Sequence, residues 1–390
     1  MNNWNSQRYQ KEGREANIPD DILKRAIQTA KLTQKFSPNA PPILTLRHLA
    51  NLVDVPYEFL RNVVSRGGVE ELTFYRVFTL KKRDVGHRKN RTRTICAPHP
   101  LLLKTQRWIH ENILTQGVFH EASSAYQPKS KIKNVAELHC DARWMVKLDI
   151  TNFFESIIEP TVYKIFRSFG YQPLIAFELA RICTRTRRGS IRRMRPESHS
   201  IVPYRDKRLG HLPQGAPTSP LLANLAAMGL DIALAKLAVR NDLVYTRYAD
   251  DITFSTSVAN SWSRMGAIQI LRDGHEILRS HGFVPNQAKA HIVPPGARKI
   301  VLGLGVEKSE PHLTREFKNK LRAHIHYLKI FQQNGTFPHQ KLGFESVLGL
   351  QRHVFGLAYY AKGIERAWAE KRISELKALP WPTDHGISFE

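Results

Sequence analysis

Cysteine is scarce in this chain: three residues, Cys96, Cys140 and Cys183, stand far apart. That spacing excludes a disulfide framework and the paired ligands of a structural zinc site, and it leaves a reduced, cytoplasmic protein as the expectation. Acidic residues are outnumbered, 34 against 59 Lys and Arg, so the net charge is +25 and the isoelectric point about 10.1. A balance this basic points to a polyanionic partner, with nucleic acid first and an anionic membrane second. Long apolar runs are missing as well. The longest, from Leu221 to Val239, is interrupted by Asn224, Asp231 and Lys236, and reads as one mostly buried helix, not a membrane span. Met1-Asn2-Asn3-Trp4 opens no charged-then-apolar signal sequence. What is present is a 390-residue chain with 42% hydrophobic content, enough for a sizeable core and two or three structural units.

Residues 1 to 18 are polar and read as loose, and Pro19-Asp20-Asp21 opens a helix that ends at the Pro-rich stretch 37–42. Two short amphipathic helices follow, broken at Val55-Pro56. Between Phe78 and Pro98, Lys and Arg (Arg93 among them) alternate with β-prone residues, a pattern that suits either a phosphate-gripping hairpin or a solvated charged one. Residues 181 to 208 carry ten Lys or Arg, including Arg187 and Arg188, against Glu197 and Asp206. Such density cannot pack against itself and reads as a loop that awaits phosphates.

The chemistry concentrates in Leu243 to Ser255. Two β-prone runs flank Tyr248-Ala249-Asp250-Asp251, which predicts a hairpin with the acidic pair at its tip. Adjacent carboxylates repel, so a cation should lie near them, and a divalent metal is the usual companion of crowded oxygen ligands. An isolated Asp-Asp is more often a solvated turn, but here strands of sheet quality stand on both sides. A second strand, Met145 to Leu148, delivers Asp149 at its end, with Phe153-Phe154 behind it. Beside the first hairpin it would bring Asp149 to Asp250.

Four pieces in fixed order carry a resemblance: Asp149 with Phe153-Phe154; the loop Gln214-Gly215-Ala216-Pro217-Thr218-Ser219-Pro220; Tyr248-Ala249-Asp250-Asp251; and Asn286 with Lys289. Together they resemble the palm of a reverse transcriptase of the bacterial retron type. Asn134, Ala136, Leu138 and His139 resemble the retron Asn-Ala-x-x-His element, with Val135 where that element usually has its Asn. Val301-Leu302-Gly303 resembles the Val-Thr-Gly signature at the thumb base, with Leu302 in place of Thr.

The resemblance implies an α+β right-hand polymerase: an N-terminal extension (1–45), fingers (46–140), a palm whose antiparallel sheet is backed by helices (141–310, with the basic insertion 181–208) and a helical thumb (311–390). It implies RNA-directed DNA synthesis from dNTPs with two Mg²⁺ ions, for which Mn²⁺ can substitute. Asp149, Asp250 and Asp251 would be catalytic and, with the Ile150 carbonyl, would hold the metals. Phe154 would gate the sugar, Gln214 and Gly215 would underlie the template–nucleotide pair, and Lys289 would face the leaving pyrophosphate. Arg93, Asn134, His139, Arg187, Arg188, Lys318, Arg322 and Lys329 would contact nucleic acid. The implied partners are a cognate non-coding RNA, its branched DNA product and a defence effector protein, in a prokaryotic cytoplasm without a membrane. A group II intron-like or other defence enzyme, and a non-catalytic RNA-binding protein on the same fold, are the rival readings.

Overall fold

The computed structural model describes residues 4–66, 74–81, 92–128, 130–186, 209–256, 262–333 and 337–381. Strands β1 (Tyr75–Lys81) and β2 (Thr92–Pro98) pair antiparallel, with Val77 opposite Cys96. Strands β3 (Met145–Asp149), β4 (Leu243–Tyr248), β5 (Asp251–Thr256) and β6 (His291–Val293) form the central antiparallel sheet in the order β4-β5-β3-β6. Short strands β7 (Ile300–Val301), β8 (Leu304–Gly305) and β9 (His312–Leu313) make a third sheet. The turn between β7 and β8 is Leu302-Gly303, both at positive φ, the backbone that a two-residue hairpin requires.

The central sheet forms because its strands are apolar or β-branched and covered on both faces. Met145, Leu148, Ile252 and Phe254 are fully buried, each worth roughly 1.5–3 kcal/mol of transfer free energy. The helix Arg264–Ser280 lies so close to the sheet that a Cβ on Gly274 would stand 2.6 Å from Leu148 Cδ1. Gly274→Ala would therefore force the Leu148 side chain to move. The expected single helix from Leu221 to Val239 is instead two, Ser219–Ala226 and Met228–Arg240, bent by 52°. The bend brings Asn224 and Asp231, two turns apart, onto one guanidinium, that of Arg247. Among the described residues no single helix is long and apolar enough to cross a membrane; this bent pair passes by length and composition alone, and Leu222, Leu230 and Leu234 bury its apolar side in the core.

The described part of the first 18 residues, from Trp4 on, is not loose. Ser6–Glu15 is a helix whose N-cap Asn5 accepts from the N–H groups of Gln7 and Arg8. The next helix, Asp20–Phe36, docks where Gly170 leaves no room for a side chain: its Cβ would stand 2.8 Å from Leu32 O. Regions read as fingers and palm share one continuous core, from Leu46 and Leu60 through Ile109 to Leu148 and Phe254. The helices Arg315–Gln333, Val347–Lys362 and Arg366–Lys377 have their own core, built on Leu321, Ile325, Leu328, Leu350, Val354 and Leu376. The seven-residue spacing of Gly349, Gly356 and Gly363 suggests close helix packing, but a Cβ on Gly356 would meet nothing within 4 Å.

Candidate active site

Antiparallel pairing of β3 with β5 makes Asp149 and Asp251 Cα partners, and the β4–β5 pairing puts Tyr248 opposite Asp251. Two residues, Ala249 and Asp250, therefore close the β4–β5 hairpin, with Ala249 left-handed at φ 56°. The Ile150 N–H donates to Asp250 O at 3.1 Å, which ties the turn to the end of β3. Asp149 is buried; its Oδ1 accepts from Asn286 Nδ2 at 2.8 Å and its Oδ2 from Lys289 Nζ. The same ammonium lies 4.0 Å from Asp250 Oδ2, and Lys147 Nζ lies 3.7 Å from Asp251 Oδ2. Burial pushes the Asp149 carboxyl above its ordinary value and the charge of Asp250 adds to it, against the pull of Lys289 and Asn286. Asp251 is also pushed up, by burial first, against Lys147. Among the described residues no group of three or more His, Cys, Asp or Glu side chains is placed to hold a metal ion. The cation on which Asp149 and Asp250 converge is the ammonium of Lys289.

Gly215 sits at φ 115° with the site of its missing Cβ 3.0 Å from Cys96 O. The Cys96 N–H donates to Gln214 O at 2.8 Å, so the loop lies directly on β2. Phe154 is half-buried, its ring 5.8 Å from Phe153 and 6.2 Å from Tyr126. Tyr126 is in turn 6.4 Å from Tyr248.

The residues expected on nucleic acid fall into four cases. Arg93 on β2 and Asn134 in the helix Ile132–Glu137 are exposed. Arg187 and Arg188 lie outside the described residues. His139 is fully buried, its ring nitrogens 2.7 Å from Ser255 Oγ and 2.7 Å from Thr246 Oγ1. It joins β5 to β4 and offers nothing to a ligand, which corrects its reading as a contact. Lys318, Arg322 and Lys329 are engaged within the protein. Lys318 pairs with Glu365 at 2.6 Å and Lys329 with Glu375 at 3.0 Å, while Arg322 lies over the Trp368 ring at 5.9 Å. Arg322 and Lys329 stay exposed, and of the three only Arg322 is left without a carboxylate partner among the described residues.

Sequence reasoning missed Arg247, Lys147 and Tyr126. Arg247 is fully buried and bidentate to Asp231, with both bonds at 2.6 Å; it also reaches Ser123 Oγ at 2.8 Å and Ala249 O at 3.1 Å. One guanidinium thus holds the acidic turn, the bent helix pair and the segment that leads to Tyr126. The available signal was its place one residue before Tyr248, inside a strand of otherwise apolar and β-branched residues.

Comparison with known proteins adds a second line. Residues 80–319 match the family described as "Reverse transcriptase (RNA-dependent DNA polymerase)". The chain is 32% identical over 255 residues to the retron Ec86 reverse transcriptase of Escherichia coli, covering 65% of this chain and 70% of that one. It is 30% identical over 291 residues to the retron Mx162 reverse transcriptase of Myxococcus xanthus, covering 72% of this chain and 58% of that one. Among solved structures, a telomerase from Candida albicans in complex with a fragment of telomeric RNA aligns over 82% of this chain and 59% of its own, at 12% identity and a TM-score of 0.40.

Proposed function

Since this chain belongs to the reverse transcriptases, in the retron branch of that family, we propose that it copies part of a cognate non-coding RNA into single-stranded DNA joined to that RNA by a branch. The chain is an RNA-directed DNA polymerase, and nucleic acid is its partner. The observation that carries the catalytic reading is the register that sets Asp149 opposite Asp251, with Asp250 in the adjoining turn.

Three carboxylates are hard oxygen donors of the kind that suits Mg²⁺ or Mn²⁺, and two of them already converge on one cation, Lys289. Their donor chemistry suits a divalent metal on that ground, once the side chains regroup from the lysines they pair with here. Asp149, Asp250 and Asp251, with the Ile150 carbonyl, would hold two such ions, which when bound stabilise the entering and leaving oxygens of the phosphoryl transfer. Lys289, released from Asp149, would offer its charge to the departing pyrophosphate. Phe154 would exclude a ribose 2′-hydroxyl, and Gln214 and Gly215 would floor the template–nucleotide pair. Synthesis from an internal 2′-hydroxyl requires a folded RNA held so that one ribose reaches the carboxylates, a positioning task for basic, shape-reading surface. Arg93, Asn134 and the basic residues 187–208 would supply it. The same reading carries a cytoplasmic place in anti-phage defence, beside an effector protein.

The test is to express the chain with its native flanking locus, isolate small DNA, and treat it separately with RNase and a debranching enzyme. Mobility that responds to both supports a branched product. DNA begun from a free 3′-hydroxyl or from protein rejects the branch and keeps the polymerase.

A further inference from the structure

Tyr126 holds a place for which its sequence gives no reason. It follows Ser123-Ser124-Ala125 in a polar connection and is 40% exposed, yet its ring contacts two aromatic residues that flank the catalytic carboxylates. Phe154 stands five residues after Asp149 and Tyr248 two before Asp250. Its backbone is left-handed at φ 64°, a conformation that costs a non-glycine residue on the order of 1–3 kcal/mol and persists only where the surroundings over-determine it.

Here they do. Arg247 N donates to Ala122 O at 2.8 Å and Ser124 N donates to Arg247 O at 3.0 Å, so the connection is laid along β4 as an extra parallel partner. Asn224 Nδ2 donates to Ala125 O at 2.7 Å, and the Arg247 side chain binds Ser123 Oγ. The peptide before Tyr126 is thus held by Asn224, whose Oδ1 accepts from the same guanidinium that holds the acidic turn. Burial raises the Tyr126 phenol above its ordinary value, and the charge of Asp250 adds to this while Arg93 and Arg247 oppose it. The side chain therefore stands within the electrostatic field of the active site.

A ring can exclude a 2′-hydroxyl only if it cannot swing aside. Phe154 has the buried ring of Phe153 at 5.8 Å and the partly exposed ring of Tyr126 at 6.2 Å. We propose that Tyr126 is a positioning residue for sugar selection, its ring backing Phe154 so that the barrier to ribonucleotides is an aromatic pair. This rests on the reading of Phe154 as the sugar gate. The ring matters and the hydroxyl does not, because the geometry on Phe154 is ring against ring, tilted by 46°.

The experiment measures kcat/KM for a deoxynucleotide and for the matching ribonucleotide on an RNA template–primer with the full chain. Tyr126→Ala is expected to reduce the preference for the deoxynucleotide by roughly threefold to tenfold, the span that a single aromatic pair supports. Tyr126→Phe is expected to keep the wild-type ratio. Phe154→Ala should reduce the ratio further, and the double variant should do no more than Phe154→Ala alone, because the two rings act as one unit. Should the alanine variant fold poorly, Tyr126→Asn removes the ring with a residue that tolerates the left-handed backbone. A wild-type ratio in ring-less Tyr126 variants, with Phe154→Ala relaxed, overturns the role of Tyr126 alone. Multiplying effects in the double variant overturn it likewise. An unchanged ratio in Phe154→Ala overturns the gate itself, and the brace with it.

Discussion

Asp149 and Asp251 face each other as Cα partners across β3 and β5, and a different lysine answers each: Lys289 on Asp149, Lys147 on Asp251. The third carboxylate, Asp250, projects from the turn beside them with its side chain 46% exposed. Removing its charge therefore disturbs chemistry far more than packing. Asp250→Asn is expected to abolish primer extension while thermal melting and RNA binding stay near wild type. Full extension by this variant would remove Asp250 from the site.

The pair Arg247–Asp231 is completely buried, and Asp231 also accepts from Tyr245 Oη at 2.7 Å. Breaking such a pair from one side leaves an uncompensated charge in the core. Arg247→Met should destabilise by about 3–5 kcal/mol in urea unfolding, and Asp231→Asn should also destabilise. Replacing both residues together with apolar side chains should cost less than the two single changes added. A loss below about 1 kcal/mol in Arg247→Met would mean that the guanidinium is hydrated in solution.

Burial holds the His139 imidazole down at about 3, and the charge of Lys147 pushes the same way. The unfolded chain takes up that proton near the ordinary value of about 6.5. Between about pH 6.5 and about pH 3 the unfolded state thus binds a proton that the folded state refuses, and the stability present above that window is lost as pH falls through it. His139→Gln should show a lower Tm at neutral pH and a shallower decline across that window. Parallel Tm profiles for variant and wild type would mean that other groups govern acid unfolding.

Because Lys318 and Lys329 already face Glu365 and Glu375, they neutralise protein carboxylates before any phosphate. Changing Lys318, Arg322 and Lys329 to Gln together should flatten the log–log salt dependence of RNA binding by about 0.7–0.9, the share of one phosphate contact. A loss of about three times that would show the two lysines leaving their glutamates for the nucleic acid.

The sequence made the carboxylate strands legible because β-branched and apolar residues sit on both sides of Asp149 and of the Asp250-Asp251 pair, and no competing helical period crosses them. Other features depended on partners that no local pattern announces. Helical spacing put Lys318, Arg322 and Lys329 on one face but could not say that Glu365 and Glu375, far along the chain, pair with the two lysines. The break at Ala227 falls on a residue that favours helix, and across it Asn224 and Asp231 both bond Arg247, whose own burial reverses the usual placement of a charge. The helix Ser6–Glu15 lacks an apolar stripe; it is fixed by its Asn5 cap and by Gly13, whose Cβ would collide with Leu23. Tyr126 reaches the site only through the pairing of Ser123 with Arg247, residues far apart in the chain.

The regions read as fingers and palm share a single core, whereas the last three helices have one of their own, and a third cluster joins Ala361 and Ala369 of those helices to Ala136, Met145, Val301 and Leu304. Evolution can therefore trade the two ends of this chain on unequal terms. A foreign helical end joined after Leu313 has to match this one seam, while a foreign N-terminal part would have to repack the hydrophobic interior that carries Asp149. Exchange of a whole piece therefore asks less repacking of the C-terminal side than of the N-terminal one.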